Sequence, residues 1–226
     1  MSLLLRRKAY RDLRAVIEDA AVNQPRSLQA RIGPSQLGTP CDKCLAWALA
    51  ELPRPREFAW FPVIGTGVHA LLEEWVKPHD RYLTEERVTV GTVGGRDVSG
   101  SCDVYDTKTH TIIDYKITGY GTISKARKSG PSEQYRAQAH LYGKGFEDAG
   151  RTVENVAIWF MPRTDANLDN GHYWTEPYDR GHAEAALERA NLMAAEVDNH
   201  TDDLLEWIDT LASSPECWTC KKERNE

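Results

Sequence analysis

Residues 100–117 constrain the fold more than any other segment, because they have the pattern of a β-hairpin with charged residues inside an apolar strand. The second half is rich in residues that favour strands, namely Ile112, Ile113, Tyr115 and Ile117. Side chains alternate between the faces of a strand, so Asp114 and Lys116 share one face. A turn centred on residues 108–109 places Asp103 opposite Asp114, with their Cβ atoms about 5 Å apart. The sequence therefore predicts two carboxylates and an ammonium on one patch.

Two carboxylates at this separation repel each other unless a cation lies between them. A hard divalent metal ion fits this role because it prefers oxygen ligands. The apolar neighbours of Asp114 and Lys116 also make unpaired charges costly at these positions. We therefore expect a divalent metal site. The alternative is a set of solvated hairpin charges, since the pattern Asp-x-Lys occurs often by chance.

The flanking segments predict helices and strands around this hairpin. Residues 59–76 have helical spacing, and they place His69 and Glu73 on one helix face. We expect strands over 82–90, 96–105 and 109–117, with a turn over 91–95. A helix begins after Pro131 and Ser132, and it presents Gln138 and Tyr142, four residues apart, along one edge. Strands over 154–163 and 172–177 and a helix over 180–197 follow.

These residues together resemble the RecB-like branch of the PD-(D/E)XK nuclease superfamily. The matching positions are His69, Asp103, Asp114, Lys116 and the Gln138-x-x-x-Tyr142 pair. The resemblance implies an α/β (α+β) fold, with a restriction-endonuclease-like core in which helices flank a central mixed sheet. It implies that Mn²⁺ or Mg²⁺ is bound by His69, Asp103, Asp114 and the main-chain carbonyl of Tyr115. It further implies that catalysis depends on Asp103, Asp114, Lys116, Gln138 and Tyr142.

Four of the five cysteines form two Cys-x-x-Cys pairs, Cys41/Cys44 and Cys217/Cys220, a spacing that indicates metal ligation. Four thiolates suit either a [4Fe–4S] cluster or a tetrahedral zinc ion. The chain resembles the RecB-like exonucleases with an iron–sulfur cluster, including CRISPR-associated spacer-processing and AddB-type nucleases, so we favour the cluster. Those families usually have one cysteine upstream and three downstream, whereas this chain has two and two. The fifth, Cys102, is expected in the core.

The remaining organisation follows from composition and charge. We expect a basic helix and linker over 1–34, a single nuclease domain with the cysteine cluster over 35–220, and a tail over 221–226. Residues 118–130 are predicted as a basic loop that clamps DNA. The weaker DNA-contact candidates are Gln134, Arg136, Lys125, Arg127 and Lys128. For Trp47, Trp60 and Trp75 we expect buried packing rather than stacking on bases.

The net charge of −6 argues against a general nucleic-acid coat, because nonspecific affinity comes from phosphate neutralisation. No segment approaches the roughly 20 apolar residues of a membrane span, and we expect a cytoplasmic protein without membrane partners. The expected function is a metal-dependent DNA exonuclease that prefers single strands or ends, with recombination or helicase partners unidentified. The alternatives are a restriction-like endonuclease and a catalytically idle subunit that binds DNA ends.

Overall fold

The computed structural model describes residues 3–23, 31–53, 58–215, 217 and 219–220. Their strands form one five-stranded sheet in the order β1-β2-β3-β4-β5. The strands are β1 (Tyr82–Val93), β2 (Arg96–Asp106), β3 (Thr111–Thr118), β4 (Asn155–Pro162) and β5 (His172–Pro177). Strands β3 and β4 run parallel, and the other neighbouring pairs are antiparallel. The predicted central mixed sheet is therefore confirmed.

Helices flank this sheet, as expected. They are α1 (Leu3–Val22), α2 (Pro34–Leu37), α3 (Asp42–Leu49), α4 (Trp60–Val76), α5 (Tyr120–Ser129), α6 (Glu133–Asp148), α7 (Arg180–Asn199) and α8 (Leu204–Thr210). Helix α6 begins as predicted, because the Ser132 side chain accepts a hydrogen bond from the Tyr135 N–H. No helix in the described part of the chain is long and apolar enough to cross a membrane.

The two faces of the sheet pack against different helices. On one face, Leu141 and Phe146 of α6 and Leu187 of α7 join Ile112 and Phe160 in the main core. On the other face, Leu72 and Val76 of α4 are half-buried and pack against a smaller cluster of Val104, Tyr115 and Met161 from the sheet. The face that carries Asp114 and Lys116 therefore lies toward α6, and the face that carries Tyr115 lies toward α4.

The β2–β3 hairpin has the predicted register, with Val104 paired to Ile113 and Asp106 to Thr111. The turn is held by Asp106, whose carboxylate accepts hydrogen bonds from Arg81 and from the Lys108 N–H. These bonds, led by that of Arg81, hold the pKa of Asp106 well below its usual range. His110 has φ 48°, so the turn extends through it and β3 begins at 111 rather than at 109.

The prediction of a loop over 118–130 is wrong, because most of this segment is helix α5. Its glycines misled the sequence interpretation, although Gly119 only precedes the first turn and Gly130, with φ 77°, ends the helix. Ile123 and Ala126 lie three residues apart and are buried, so packing against the sheet stabilises a helix of poor propensity.

Smaller differences concern element ends. Helix α2 was not foreseen, and α3 ends at Leu49, shortly before Glu51 with its φ of 52°. The predicted turn over 91–95 narrows to residues 94–95, and β1 continues to Val93. Part of the predicted linker, residues 24–30, and the predicted tail lie outside the described residues.

Candidate active site

Strand β3 carries the first half of the site. Asp114 is 3% exposed, and its Oδ2 atom lies 2.7 Å from the Lys116 Nζ atom. Apart from this ion pair, the buried Oδ2 atom has no hydrogen-bond partner among the described residues. The predicted pairing of Asp114 with Lys116 on one strand face is thus present, and it leaves a carboxylate oxygen under-coordinated inside the protein.

Asp103 joins strand β2 to both β3 and α4. The β2–β3 ladder ends at Val104 and Ile113, and at the next position the Asp103 Oδ2 atom accepts the Tyr115 N–H at 2.6 Å. The Asp103 Oδ1 atom lies 3.1 Å from the His69 Nδ1 atom. The structure therefore brings together Asp103 and His69, which are 34 positions apart in the chain, as the sequence predicts.

Glu85 is the residue that sequence reasoning missed. One ligand atom each from His69, Glu85 and Asp103 lies within 4.8 Å of the others. Glu85 lies between Thr84 and Glu86, which pair with Val104 and Cys102, so it opposes Asp103 across β1 and β2. Its φ of 51° is unusual for a non-glycine residue, and such conformations concentrate at functional sites.

In both β1 and β2, the alternation of side chains between the two faces of the sheet is interrupted near Glu85 and Asp103. In β2, Cys102 and Tyr105 both lie in the main core although they are three positions apart. In β1, Leu83 and Val88 both contact this core although they are five positions apart. A regular strand has a period of two, so one reversal in each strand aims Asp103 toward α4. Cys102 is fully buried, as expected, and this burial raises its pKa.

Asp114 does not belong to the group of mutually close ligand atoms formed by His69, Glu85 and Asp103. It remains electrostatically coupled to that group, because its charge acts on His69 and the charge of Asp103 acts on it. The site thus has two neighbouring parts, one centred on Asp103 and one on the Asp114–Lys116 ion pair.

Helix α6 completes the site from the main-core face. The Lys116 Nζ atom donates a hydrogen bond to the Gln138 Oε1 atom at 2.9 Å and lies 4.6 Å from the centre of the Tyr135 ring. Tyr142, one helical turn after Gln138, is 5% exposed. Burial raises the pKa of the Tyr142 hydroxyl far above neutrality, so this group stays protonated. Within the Gln-x-x-x-Tyr pair, Gln138 therefore orients the ammonium of Lys116.

Burial and charge determine the protonation of the central residues. Burial raises the pKa of Asp114 to about 6, and the Lys116 ammonium limits this rise. Burial opposes the charge of Lys116, but the Asp114 carboxylate outweighs it and the pKa of Lys116 is raised. The hydrogen bond to Asp103 raises the pKa of His69. Near neutral pH the site therefore has an ionised Asp114 and a charged Lys116.

Several proposed DNA-contact residues have intramolecular partners. Arg136 makes a two-pronged contact with Glu176 at 3.0 and 2.9 Å, and Gln134 donates to the Ser35 carbonyl at 2.6 Å. Arg127 donates to the carbonyls of residues 170 and 171. Lys125 and Lys128 lie on α5, the first element after β3. The intramolecular bonds give Arg127, Gln134 and Arg136 roles in holding α5 and α6 in place.

The four paired cysteines form a second cluster that joins α3 to the C-terminal segment. The Sγ atom of Cys44 lies 3.4 Å from that of Cys217 and 3.6 Å from that of Cys220, and Cys41 lies 3.6 Å from Cys220. These distances exceed a disulfide bond of about 2 Å, and all four thiols are free. Hydrogen bonds from the Cys220 backbone and the other thiols outweigh burial and lower the pKa of Cys217 to about 7.

No protein-family model matches this sequence, and no curated protein matches it. Among solved structures, an alkaline exonuclease from Laribacter hongkongensis aligns with a TM-score of 0.54 and 15% identity, over 81% of this chain and 95% of that one. Its complex with dAMP gives 0.50 and 14%, over 87% and 94%. A phage related exonuclease from Haemophilus somnus 129PT gives 0.51 and 13%, over 76% and 96%. The chain shares the fold of these exonucleases.

Proposed function

We propose that this protein is a metal-dependent deoxyribonuclease that hydrolyses phosphodiester bonds from DNA ends, with residues 35–220 as the nuclease unit. The observation that carries the proposal is that the Asp103–His69 contact and the Asp114–Lys116 ion pair form two electrostatically coupled parts of one site, in a fold shared with exonucleases. A preference for single strands, recombination or helicase partners and a cytoplasmic setting are parts of this proposal that rest on the sequence resemblance.

The residues present suit a divalent ion of the Mn²⁺ or Mg²⁺ type. Glu85 and Asp103 place carboxylates within 4.8 Å of each other and of His69, a spacing that a cation would stabilise. The Asp114 Oδ2 atom is buried without a hydrogen-bond partner among the described residues, as a ligand oxygen would be. We propose His69, Glu85, Asp103, Asp114 and the Tyr115 carbonyl as ligands. The imidazole of His69 favours Mn²⁺ over Mg²⁺, because transition-metal ions accept nitrogen ligands more readily than Mg²⁺ does.

The chain's own residues would then act on water and phosphate in a fixed geometry. A bound divalent ion would lower the pKa of a coordinated water and stabilise negative charge on phosphate oxygens. Lys116 is held by Asp114 on one side and by Gln138 on the other, so its ammonium has a defined position from which to orient water and offset charge. Lys125 and Lys128 on α5 remain candidates for phosphate contacts.

Cleavage of labelled linear and circular DNA with Mn²⁺ tests the proposal directly. End-dependent degradation of linear DNA is the expected result, whereas cutting of circles would favour a restriction-like endonuclease. Absence of cleavage of either DNA would overturn the nuclease proposal and favour an end-binding subunit. Asp114→Asn should lower the rate about 10²–10³-fold, by comparison with the loss of one electrostatic stabiliser. Asp165→Asn, in an exposed loop, is the matched control and should leave the rate unchanged.

For the four cysteines, the spacing supports a single tetrahedral zinc ion over the [4Fe–4S] cluster that the sequence favours. Four sulfurs at about 2.3 Å from one ion lie roughly 3.8 Å apart, close to the 3.4–3.6 Å between the Sγ atoms. In a four-iron cluster each thiolate binds a different iron, so the sulfurs stand farther apart. We propose zinc in a structural role. Elemental analysis of anaerobically purified protein should give one zinc and no iron per chain, and a visible iron–sulfur absorption band would contradict this proposal.

A further inference from the structure

The N-terminal turn of α4 exposes two aromatic side chains. Trp60 is 52% exposed and Phe61 is 60% exposed, and Trp75 at the other end of the helix is 62% exposed. The expectation of buried packing for Trp60 and Trp75 is therefore wrong. Trp47 is half-buried and its indole N–H donates to the Leu52 carbonyl, in line with packing. Single exposed aromatic rings are common on protein surfaces, so the contacts of each ring decide whether it forms a site.

A cation covers one face of the Phe61 ring. The guanidinium carbon of Arg163 lies 3.6 Å from the ring centre, and the guanidinium lies beside Gly119. Arg163 is held in place because its backbone N–H donates to the Thr118 carbonyl at 3.0 Å, two residues after Lys116. The ring and the cation are thus fixed at the end of the strand that carries Asp114 and Lys116. The remaining exposed area leaves the Phe61 ring available to a second flat group.

Space for a ligand exists between this pair and the candidate active site. Gly65 and His69 are four residues apart and share a face of α4. A Cβ atom added at Gly65 would meet no described atom within 4 Å, so the space directly beside Gly65, midway between Phe61 and His69, is open among the described residues. These two residues are eight positions apart, which is about 12 Å along a helix axis. The Phe61–Arg163 pair therefore stands at one end of a helix face that passes this space and leads to His69.

We propose that Phe61 and Arg163 form a stacking site for a nucleobase of the single strand that enters the candidate active site. The proposal rests on the proposed nuclease function and specifies its substrate. A base would stack on the free face of Phe61, and Arg163 would supply positive charge to the adjoining phosphate. Inside a duplex the faces of each base are covered by the neighbouring pairs, so an unpaired base is the substrate that can insert its face against Phe61, and a blunt duplex end can offer only the face of its last pair. Aromatic stacking tolerates any base, which suits a nuclease without sequence preference.

The test is a binding cycle that compares removal of the ring with removal of the base. Anisotropy of a fluorescein-labelled oligo-dT is measured without Mg²⁺ or Mn²⁺, for the wild type and for Phe61→Ala. The same two proteins are then titrated with an oligonucleotide whose end bases are replaced by abasic sites. Each single change should weaken binding about 5- to 140-fold, the range for one base–aromatic stack. The two changes together should weaken it no more than one alone.

Controls separate stacking from folding and from nonspecific affinity. Trp75→Ala removes an equally exposed ring from the same helix and should leave binding unchanged. Phe61→Tyr keeps the ring and should retain wild-type affinity. An unchanged affinity of Phe61→Ala, or fully additive effects of the two changes, would overturn the proposal. A change of oligomeric state in Phe61→Ala at constant DNA affinity would also overturn it, in favour of a contact between copies of the chain.

Failure of this inference is distinguishable from failure of the proposed function. The wild type is assayed for Mn²⁺-dependent cleavage of the same oligonucleotides. If it cleaves them while Phe61→Ala binds and cleaves like the wild type, the stacking site is refuted and the nuclease proposal stands. If the wild type neither binds nor cleaves DNA, both proposals are refuted.

Discussion

Replacement of Asp114 by asparagine should remove a loss of stability that the wild type shows as the pH rises, because asparagine cannot ionise. Burial raises the pKa of Asp114 from 3.8 to about 6 in the folded chain. Because the folded pKa of this acid is raised, its contribution is fully favourable below pH 3.8 and is lost as the pH rises through 6. The shift of roughly two units corresponds to about 3 kcal/mol of unfolding free energy at neutral pH.

The assay is urea denaturation of the wild type and Asp114→Asn between pH 4 and pH 7.5, in buffers without Mg²⁺ or Mn²⁺. The difference between the two proteins cancels the titrating groups on which Asp114 does not act, and it leaves Asp114 together with its coupled neighbours His69 and Lys116. We expect the wild type to lose about 3 kcal/mol relative to the variant over this range, because asparagine carries no charge to bury. The loss of the counter-charge of Lys116 lowers the stability of the variant by an amount that is largely independent of pH in this window.

A second arm of the same experiment adds Mn²⁺ at pH 7.5. An ion bound at about 100 times its dissociation constant stabilises the folded state by about 2.7 kcal/mol. We expect this stabilisation in the wild type and in Asp165→Asn, and a much smaller one in Asp114→Asn. A stability difference between wild type and Asp114→Asn that does not vary with pH would refute the argument that burial destabilises the ionised carboxyl.

Three further predictions follow from other contacts. Gly100→Ala would place a Cβ atom 2.9 Å from the Tyr142 hydroxyl and should lower the unfolding free energy by about 1–3 kcal/mol. Gly121→Ala lies in open helical space among the described residues and should raise the unfolding free energy by about 0.4–1 kcal/mol. Urea denaturation measures both changes. Burial lowers the pKa of His140, whose Nδ1 atom accepts the backbone N–H of Asp179, the N-cap residue of α7. The wild type should therefore lose stability relative to His140→Gln in urea denaturation as the pH drops below 6.5. Cys220→Ser should lose the bound metal by elemental analysis and lower stability by on the order of 3–5 kcal/mol, since the cluster closes a long loop.

Local patterns in the sequence were sufficient for the architecture and for most of the candidate site. The hairpin register that pairs Val104 with Ile113 follows from the turn position and from strand alternation, both of which are local. The four-residue spacing of Gln138 and Tyr142 predicts both on one edge of α6, and in the structure Gln138 of this pair accepts a hydrogen bond from Lys116. The ligand roles of the site residues stay predictions, because they depend on an ion.

Only the tertiary structure decided which glutamate opposes Asp103. The register of β1 and β2 shifts between Thr89 and Gly91, so Glu85 opposes Asp103, whereas an unshifted hairpin would have placed Glu86 there. Glu86 contacts Arg151 at 3.0 Å instead. A one-residue bulge is set by how the hairpin packs on neighbouring elements, and the sequence of the strand does not reveal it.

The sequence by itself determined the succession of the five strands along the chain, the Asp114–Lys116 pairing and the two cysteine pairs, because each depends on spacing within a short segment. Tertiary packing decided the rest. It stabilised α5 in a glycine-containing segment, brought Sγ atoms from both ends of the chain to 3.4–3.6 Å, and left Phe61 exposed beside Arg163. These features depend on contacts between residues that are distant in the chain, and periodicity carries no information about such contacts.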